Sequence, residues 1–591
     1  MPLRHLAIVS LALIAAVTGS PVSPVTAQAQ SQNPCVAALA AEGAGAMRTA
    51  PNHAPKYGRF DADTRDIRDL LQLSSVSAQA RSRATATVAR PAADRDDNNI
   101  AILEDQGGDL ILRANAFDLA NTGLRFEPAG GGYAVRVTGA EFRPALGRTL
   151  SLGDDDSVAQ TIASPFQFYG RRFTSLFVNS DGNLTFEEGD NASTARGLDR
   201  LASGAPRIAP FFADLDPSAG GGMFLDSAAD ATTVTWCAVP GFGLAQTVTV
   251  QAVLFSNGAI EFKFGATDLR DGIVALSPGR TETVTTVDLN PAGGQVTEPV
   301  AIGELFAASP ALNLVAASRR FYQTHPDNFD QLVFWTDTTV VTEAFAFEST
   351  VQNAITGTGL EVEDFSAALG SGGALQSVVN MDRISKYPDT PAARTLGERS
   401  ALGILAHETG HRWLTHLLFR NADRSISDQL LGRQLAHWSF FMDSDGSVME
   451  GNEIEDLGGG VFRTATSTEK YSRLDLYAMG LATDAEVPRF FFIDAPISSR
   501  NRETASTAGV TINGTRRDVL IQDVIDALGP RVPAAADSPR LHRQAYVFVR
   551  RATAVLDPQD LTRLARIREQ FGAFFSRATE NRMVVRTTLV P

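Results

Sequence analysis

The residues best suited to chemistry are His407, Glu408 and His411, in the string His407-Glu408-Thr409-Gly410-His411. On a helix, side chains four positions apart lie one above the other, about 6 Å apart along the axis. Both imidazoles then reach one metal ion, at about 2.0–2.1 Å for zinc. Glu408 points in a neighbouring direction, where it can take the proton of a water activated by the metal and pass it to a leaving amine. The chain has 8 histidines, and at that frequency an accidental H-E-x-x-H arises in about one such chain in 200. The bland alternative is a surface helix carrying two exposed histidines.

The element that must carry this string is a helix. Pro391 and the capping pair Thr395 and Glu398 mark its start. Leu402, Leu405, Ala406, Trp413, Leu414 and Leu417 continue at helical spacing, so the predicted helix runs from about 391 to 417. Gly410 leaves room for a facing element. A catalytic zinc needs a third protein ligand and an open position. His416 lies five residues past His411 and, on the same helix, points away by roughly 140°, so it reads as a surface or packing residue. His437, in His437-Trp438-Ser439-Phe440, is the preferred third ligand. The rivals are the carboxylates Glu450, Glu453 and Asp443. Asp443-Ser444-Asp445-Gly446 has the flavour of a calcium loop but lacks the twelve-residue pattern with its closing Glu. A tight turn is the preferred reading there, with Ca2+ a minor alternative.

Composition bounds the rest. The chain has 591 residues, 44% hydrophobic and 20% charged, with a formal net charge of -15. That is enough apolar surface for several packed cores, and too acidic a balance for non-specific nucleic-acid binding. Residues 1–27 read as a secretory signal peptide: Arg4 and His5, the apolar run Leu6 to Val17, then Val25-Thr26-Ala27 before the cut. The mature chain is expected to be secreted or periplasmic, without a membrane span. Cys35 and Cys237 either pair, as export permits, or stay free thiols. Residues 28–97 read as a helical piece (Asp66 to Leu73) plus a linker (Ser74 to Arg95). Residues 98–320 read as β-rich, with hairpins at Ser180-Asp181-Gly182 and at Asn257-Gly258. Residues 321–591 read as mixed α/β, with buried strands at Leu332 to Asp337, Ala344 to Phe347 and Ala374 to Met381. Helices are expected near Asp518 to Leu528 and Pro558 to Ser576.

Several blocks recur in the order of a known family. They are Pro165-Phe166-Gln167-Phe168-Tyr169-Gly170, Val178 to Phe186 (VNSDGNLTF), Pro206 to Asp216 (PRIAPFFADLD) and Asp271 to Gly279 (DGIVALSPG). Residues 145–285 thus resemble the nidogen-like extracellular domain, which implies an adhesion or matrix-type module. It implies as a possible partner an extracellular matrix or cell-surface protein. Asp214 and Asp216 read as turn and cap residues more readily than as ion ligands.

The region around His407 resembles the metzincins. His437-Trp438, followed by Met449 in Ser447-Val448-Met449-Glu450-Gly451-Asn452, is similar to leishmanolysin, where an insertion precedes the third His. The compact metzincin spacing would need Gly at 414 and His at 417, where this chain has Leu414 and Leu417. The resemblance implies that His407, His411 and His437 bind zinc, that Glu408 is the general base, and that Met449 floors the site. It places Tyr471 and Tyr477 where some metzincins stabilise the transition state, although core packing is the favoured reading for both. In zincins an edge strand before the zinc helix often pairs with extended substrate, and Ala374 to Met381 lies in that position. The fold class expected is multidomain: a β-rich nidogen-like domain, then an α+β zincin-like metallopeptidase domain. The function expected is zinc-dependent cleavage of protein or peptide substrates. The alternatives are an adhesion protein with an inactive zincin domain and a metallohydrolase of non-peptide bonds.

Overall fold

The computed structural model describes residues 33–41, 65–83, 94–192, 196–281, 284–289, 300–341, 344–465 and 468–589. The expected signal peptide, residues 1–27, lies outside the described residues. Among those described, no helix is long and apolar enough to cross a membrane.

Two seven-stranded sheets form the middle of the chain. The first runs, in spatial order, Val284–Thr286, Ala301–Phe306, Gly272–Ser277, Arg207–Phe212, Asn183–Thr185, Arg171–Asn179 and Ser157–Phe168. The second runs Gly132–Thr138, Gly123–Ala129, Ile260–Phe264, Thr247–Phe255, Ala231–Pro240, Gly222–Ser227 and Arg148–Leu150. Val178, Leu184 and Phe211 of one sheet share a single core with Trp236, Val250 and Phe262 of the other, the packing of a β-sandwich. Both expected hairpins form, one at the left-handed Gly182 (φ 66°) and one at Gly258 (φ 88°).

The other large unit is a mixed sheet in the order Arg95–Asp97, Ile100–Asp105, Leu541–Arg551, Gln331–Thr336, Ser377–Arg383, Phe347–Thr350. Its four inner strands are parallel, and Phe347–Thr350 runs antiparallel. Alternate residues face opposite ways. Val333, Trp335, Val379 and Phe548 pack under the helices Ala401–Gly410 and Pro558–Ala578. Leu332, Phe334, Val378 and Val547 pack against the helices Ile67–Arg83 and Leu314–Tyr322. A sheet covered on both faces explains the unbroken apolar runs of its strands.

Several expectations change. Ile100–Asp105 belongs to this mixed sheet, not to the β-rich unit, so the boundary expected at 98 falls later in the chain. The helix expected to end at Leu73 continues to Arg83, through part of the expected linker. Ser377–Arg383 is an inner strand, and Phe347–Thr350 is the edge. That edge is engaged by the chain itself: the Arg65 amide donates to the Glu348 carbonyl at 2.9 Å, and the Ser349 hydroxyl donates to the Arg65 carbonyl at 2.7 Å.

Cys35, on the helix Pro34–Ala41, is joined to Cys237, on the strand Ala231–Pro240, with Cα atoms 5.3 Å apart. The bridge closes a loop of 202 residues in sequence separation, and loop entropy alone then gives a stabilisation on the order of 5 kcal/mol. The double substitution Cys35→Ser with Cys237→Ser should lower the unfolding free energy by about 2–5 kcal/mol. Urea unfolding measures it, and an unchanged midpoint would show that the bridge restrains nothing in the unfolded chain.

Candidate metal centre

The helix bearing the motif is short, Ala401–Gly410. The expected start at Pro391 fails because Arg394–Leu396 and Arg399–Ser400 form a small hairpin turning at Gly397 (φ 56°). The working cap is Ser400, whose hydroxyl accepts from the Gly403 amide at 3.0 Å. Glu469 anchors that cap by accepting from the Ser400 amide and hydroxyl at 2.5 and 2.7 Å. At the other end His411 is the C-cap. Trp413, Leu414 and Leu417 are buried beyond the helix, not along it.

His407 and His411 still share one face of the helix as the motif requires, with rings edge to face and Nε2 atoms 3.2 Å apart. His437 comes from a separate segment, and its Nε2 lies 3.1 Å from that of His407. All three imidazoles and Glu408 are at most 2% exposed. The second ring nitrogen of each histidine is bound in the same way. The Nδ1–H of His407 donates to the Val448 carbonyl at 2.8 Å, that of His411 to Leu414 at 3.1 Å, and that of His437 to Arg433 at 2.8 Å. Protons held at Nδ1 leave the three Nε2 atoms as acceptors within 4.8 Å of one another, and that of His437 also lies 3.1 Å from Arg433 Nη2. Donors about 2.0–2.1 Å from a tetrahedral ion stand a little over 3 Å apart, the spacing of His407 Nε2 from the other two. The donor set therefore fits one zinc ion, and the backbone carbonyls are its orienting partners.

The rivals for the third position lie elsewhere. The Glu450 carboxylate is paired with Arg433 at 2.8 Å and with Arg399 at 3.0 Å. Burial pushes its pKa up, but Arg433, supported by Arg399, holds it well below the usual carboxylate range. Glu453 is exposed. Asp443 accepts from the Ile454 and Asp445 amides, so Asp443 to Gly446 is a turn, with Asp445 at φ 60° and Gly446 at φ 76°. His416 is off the helix and half-buried, and burial lowers its pKa to about 4. It is a packing residue, for a reason other than the expected helix geometry.

Met449 sits beneath the helix. A Cβ at Gly410 would lie 2.6 Å from the Met449 sulfur and 3.1 Å from the Tyr471 ring, so Gly410 does admit a facing element. Tyr471 donates its hydroxyl to the Ala406 carbonyl at 2.5 Å, and Tyr477 accepts from the Arg531 amide at 3.3 Å. Both rings are buried, as the core-packing reading expects.

Two supports were not read from the sequence. Buried Asp475 accepts from Trp438 Nε1 at 2.8 Å, the Ser447 hydroxyl at 2.6 Å and the Ser472 amide at 2.6 Å. It ties the His437 segment and the Met449 turn to the helix Arg473–Ala478. The pair Ser472 and Asp475 has capping-box spacing, the one local signal that marked it. Arg433 is the second; nothing in its sequence position showed that its side chain turns back to the histidines.

In the sandwich, Asp216 caps a turn through the Ser218 and Ala219 amides. Asp154, Asp155 and Asp214 bring carboxylates together, with Arg196 paired to both Asp155 and Asp214.

Residues 132–311 match the family model described as NIDO related. No curated protein and no solved structure matches the chain. The double sheet is thus a nidogen-related domain, over a longer span than the 145–285 read from sequence blocks.

Proposed function

We propose that the chain is an exported zinc-dependent endopeptidase, its zincin-like catalytic unit built on the mixed sheet and joined to a nidogen-related domain. The observation that carries the reading is the convergence of three Nε2 atoms from His407, His411 and His437, each imidazole oriented through Nδ1 by a backbone carbonyl. A zinc ion held there supplies a Lewis acid for a carbonyl oxygen and lowers the pKa of water. Glu408, on the same helix and buried beside the histidines, takes the proton from the attacking water and returns it to the leaving amine. The burial of these side chains keeps the local dielectric low and strengthens each electrostatic contact. Export is supported by the N-terminal sequence and by the Cys35–Cys237 disulfide, which persists in an oxidising compartment.

The nidogen-related domain favours a second reading, in which the chain binds an extracellular protein and cuts nothing. Zinc content separates the two. The purified mature protein should hold about one zinc per chain. It should be lost in His437→Ala and kept in Glu450→Gln, as measured by elemental analysis. Loss in Glu450→Gln with retention in His437→Ala would replace the third ligand. No uptake in the parent would leave only the binding reading.

Glu408→Gln should keep the zinc and lower peptide hydrolysis by about 10²–10⁴-fold. Undiminished hydrolysis would remove Glu408 from its role.

Ligand imidazoles bind metal only when neutral. Activity should therefore fall as pH drops from about 8 to about 5, and added zinc should restore part of it. A flat profile across that window would count against a three-histidine site.

A further inference from the structure

Arg433 is a buried cation to which the metal reading gives no task. Arg433 begins the short turn Arg433–Leu435, four residues before His437. Its carbonyl accepts the His437 Nδ1–H at 2.8 Å. Its guanidinium doubles back, so that Nη2 lies 3.1 Å from His437 Nε2, on the face where the three imidazoles converge. One residue thus fixes the ring from behind and places a positive charge in front of it.

That placement works against metal binding. A guanidinium stays protonated, cannot ligate a cation, and repels one at short range. A site selected only to hold zinc would exclude it, yet the surroundings are built to keep it. Glu450 grips it by two contacts, Nε to Oε2 at 3.2 Å and Nη2 to Oε1 at 2.8 Å. Arg399 braces the same carboxylate at 3.0 Å. Glu450 itself is held in the left-handed region, at φ 68°, an unfavourable conformation for a residue with a Cβ. A fixed cation beside a catalytic centre is useful where negative charge develops. Of the two tyrosines suggested for that task, Tyr471 spends its hydroxyl proton on the Ala406 carbonyl, and Tyr477 is held by the Arg531 amide.

We propose that Arg433 is a catalytic residue of this hydrolysis: once His437 Nε2 binds metal, the Nη2–H that meets it here donates to the scissile carbonyl oxygen as that oxygen becomes negative, with Glu450 as the positioning residue. The inference rests on the peptidase reading above. In the step it serves, the water oxygen bonds to the carbonyl carbon and the C=O π pair moves to the oxygen facing Arg433. Glu408 takes the water proton. When the C–N bond breaks, the electron pair returns to form C=O and the amine leaves with that proton.

The test uses the full mature chain with Arg433→Gln and Arg433→Lys. For Arg433→Gln, kcat should fall by about 10²–10³-fold, while zinc retention against a chelator stays equal or tightens, because a repelling charge is gone. Arg433→Lys keeps a charge and should recover part of kcat; it also serves if the Gln variant does not fold. A readout independent of turnover is acetate binding to the cobalt-substituted protein, followed in its visible spectrum. Acetate should bind roughly tenfold more weakly to Arg433→Gln than to the parent. Zinc loss in Arg433→Gln to the extent seen in His437→Ala would make Arg433 a scaffold residue and overturn the proposal. Unchanged kcat, or equal acetate affinity in parent and variant, would overturn it too. A parent that binds metal and acetate but cleaves no peptide would sink the peptidase reading, while the acetate comparison would still decide whether Arg433 receives an anion.

Discussion

The site depends on three hydrogen bonds from imidazole Nδ1–H groups to the backbone carbonyls of Val448, Leu414 and Arg433. A carbonyl is an acceptor with no alternative state, so each bond fixes both the tautomer and the tilt of a ring. The three carbonyls come from three segments, and the lone pairs meet only if all three are in place. Ser400 and Glu469 set the start of the helix. Asp475 gathers Trp438, Ser447 and Ser472, which fixes the His437 segment against the Met449 turn. A buried carboxylate with that many donors is costly to leave unsatisfied, so the hub and the rings stand or fall together.

Beneath this polar assembly lies a sheet drawn from distant parts of the chain. Ile100–Asp105 pairs in parallel with Leu541–Arg551, and the sandwich occupies much of the sequence between them. The floor of the site is therefore incomplete until residues near both ends of the described chain have met. Contacts of such long sequence separation form slowly. The helix Pro558–Ala578 then closes the same face through Leu564, Ile567 and Phe571.

What could be read from the sequence was what local chemistry fixes. Asn257-Gly258 marked a hairpin because the turn needs a left-handed residue, and Gly258 is one. Gln331–Thr336 announced a buried strand by an apolar run that both sheet faces require. The histidine string placed two imidazoles on one helical face without any tertiary information. The length of that helix could not be read, since every residue from Ala401 to Gly410 is buried and a helix buried all round has no exposed face whose period could mark its end. The sheet edge and the true extent of the mixed sheet were hidden for another reason: strand order depends on pairings far apart in the chain. Arg433 was missed because a side chain's return toward its own segment is set by its neighbours, here Glu450 and Arg399.

The bridge between Cys35 and Cys237 turns most of the sandwich into part of a covalent ring. A single peptide bond broken anywhere inside that ring opens the backbone without dividing the molecule. The N-terminal helix and the edge contact made by Arg65 stay tethered to the rest until the disulfide is reduced. A nicked chain would migrate as one species without reductant and as two with it, so intactness judged by size alone depends on the redox state of the sample.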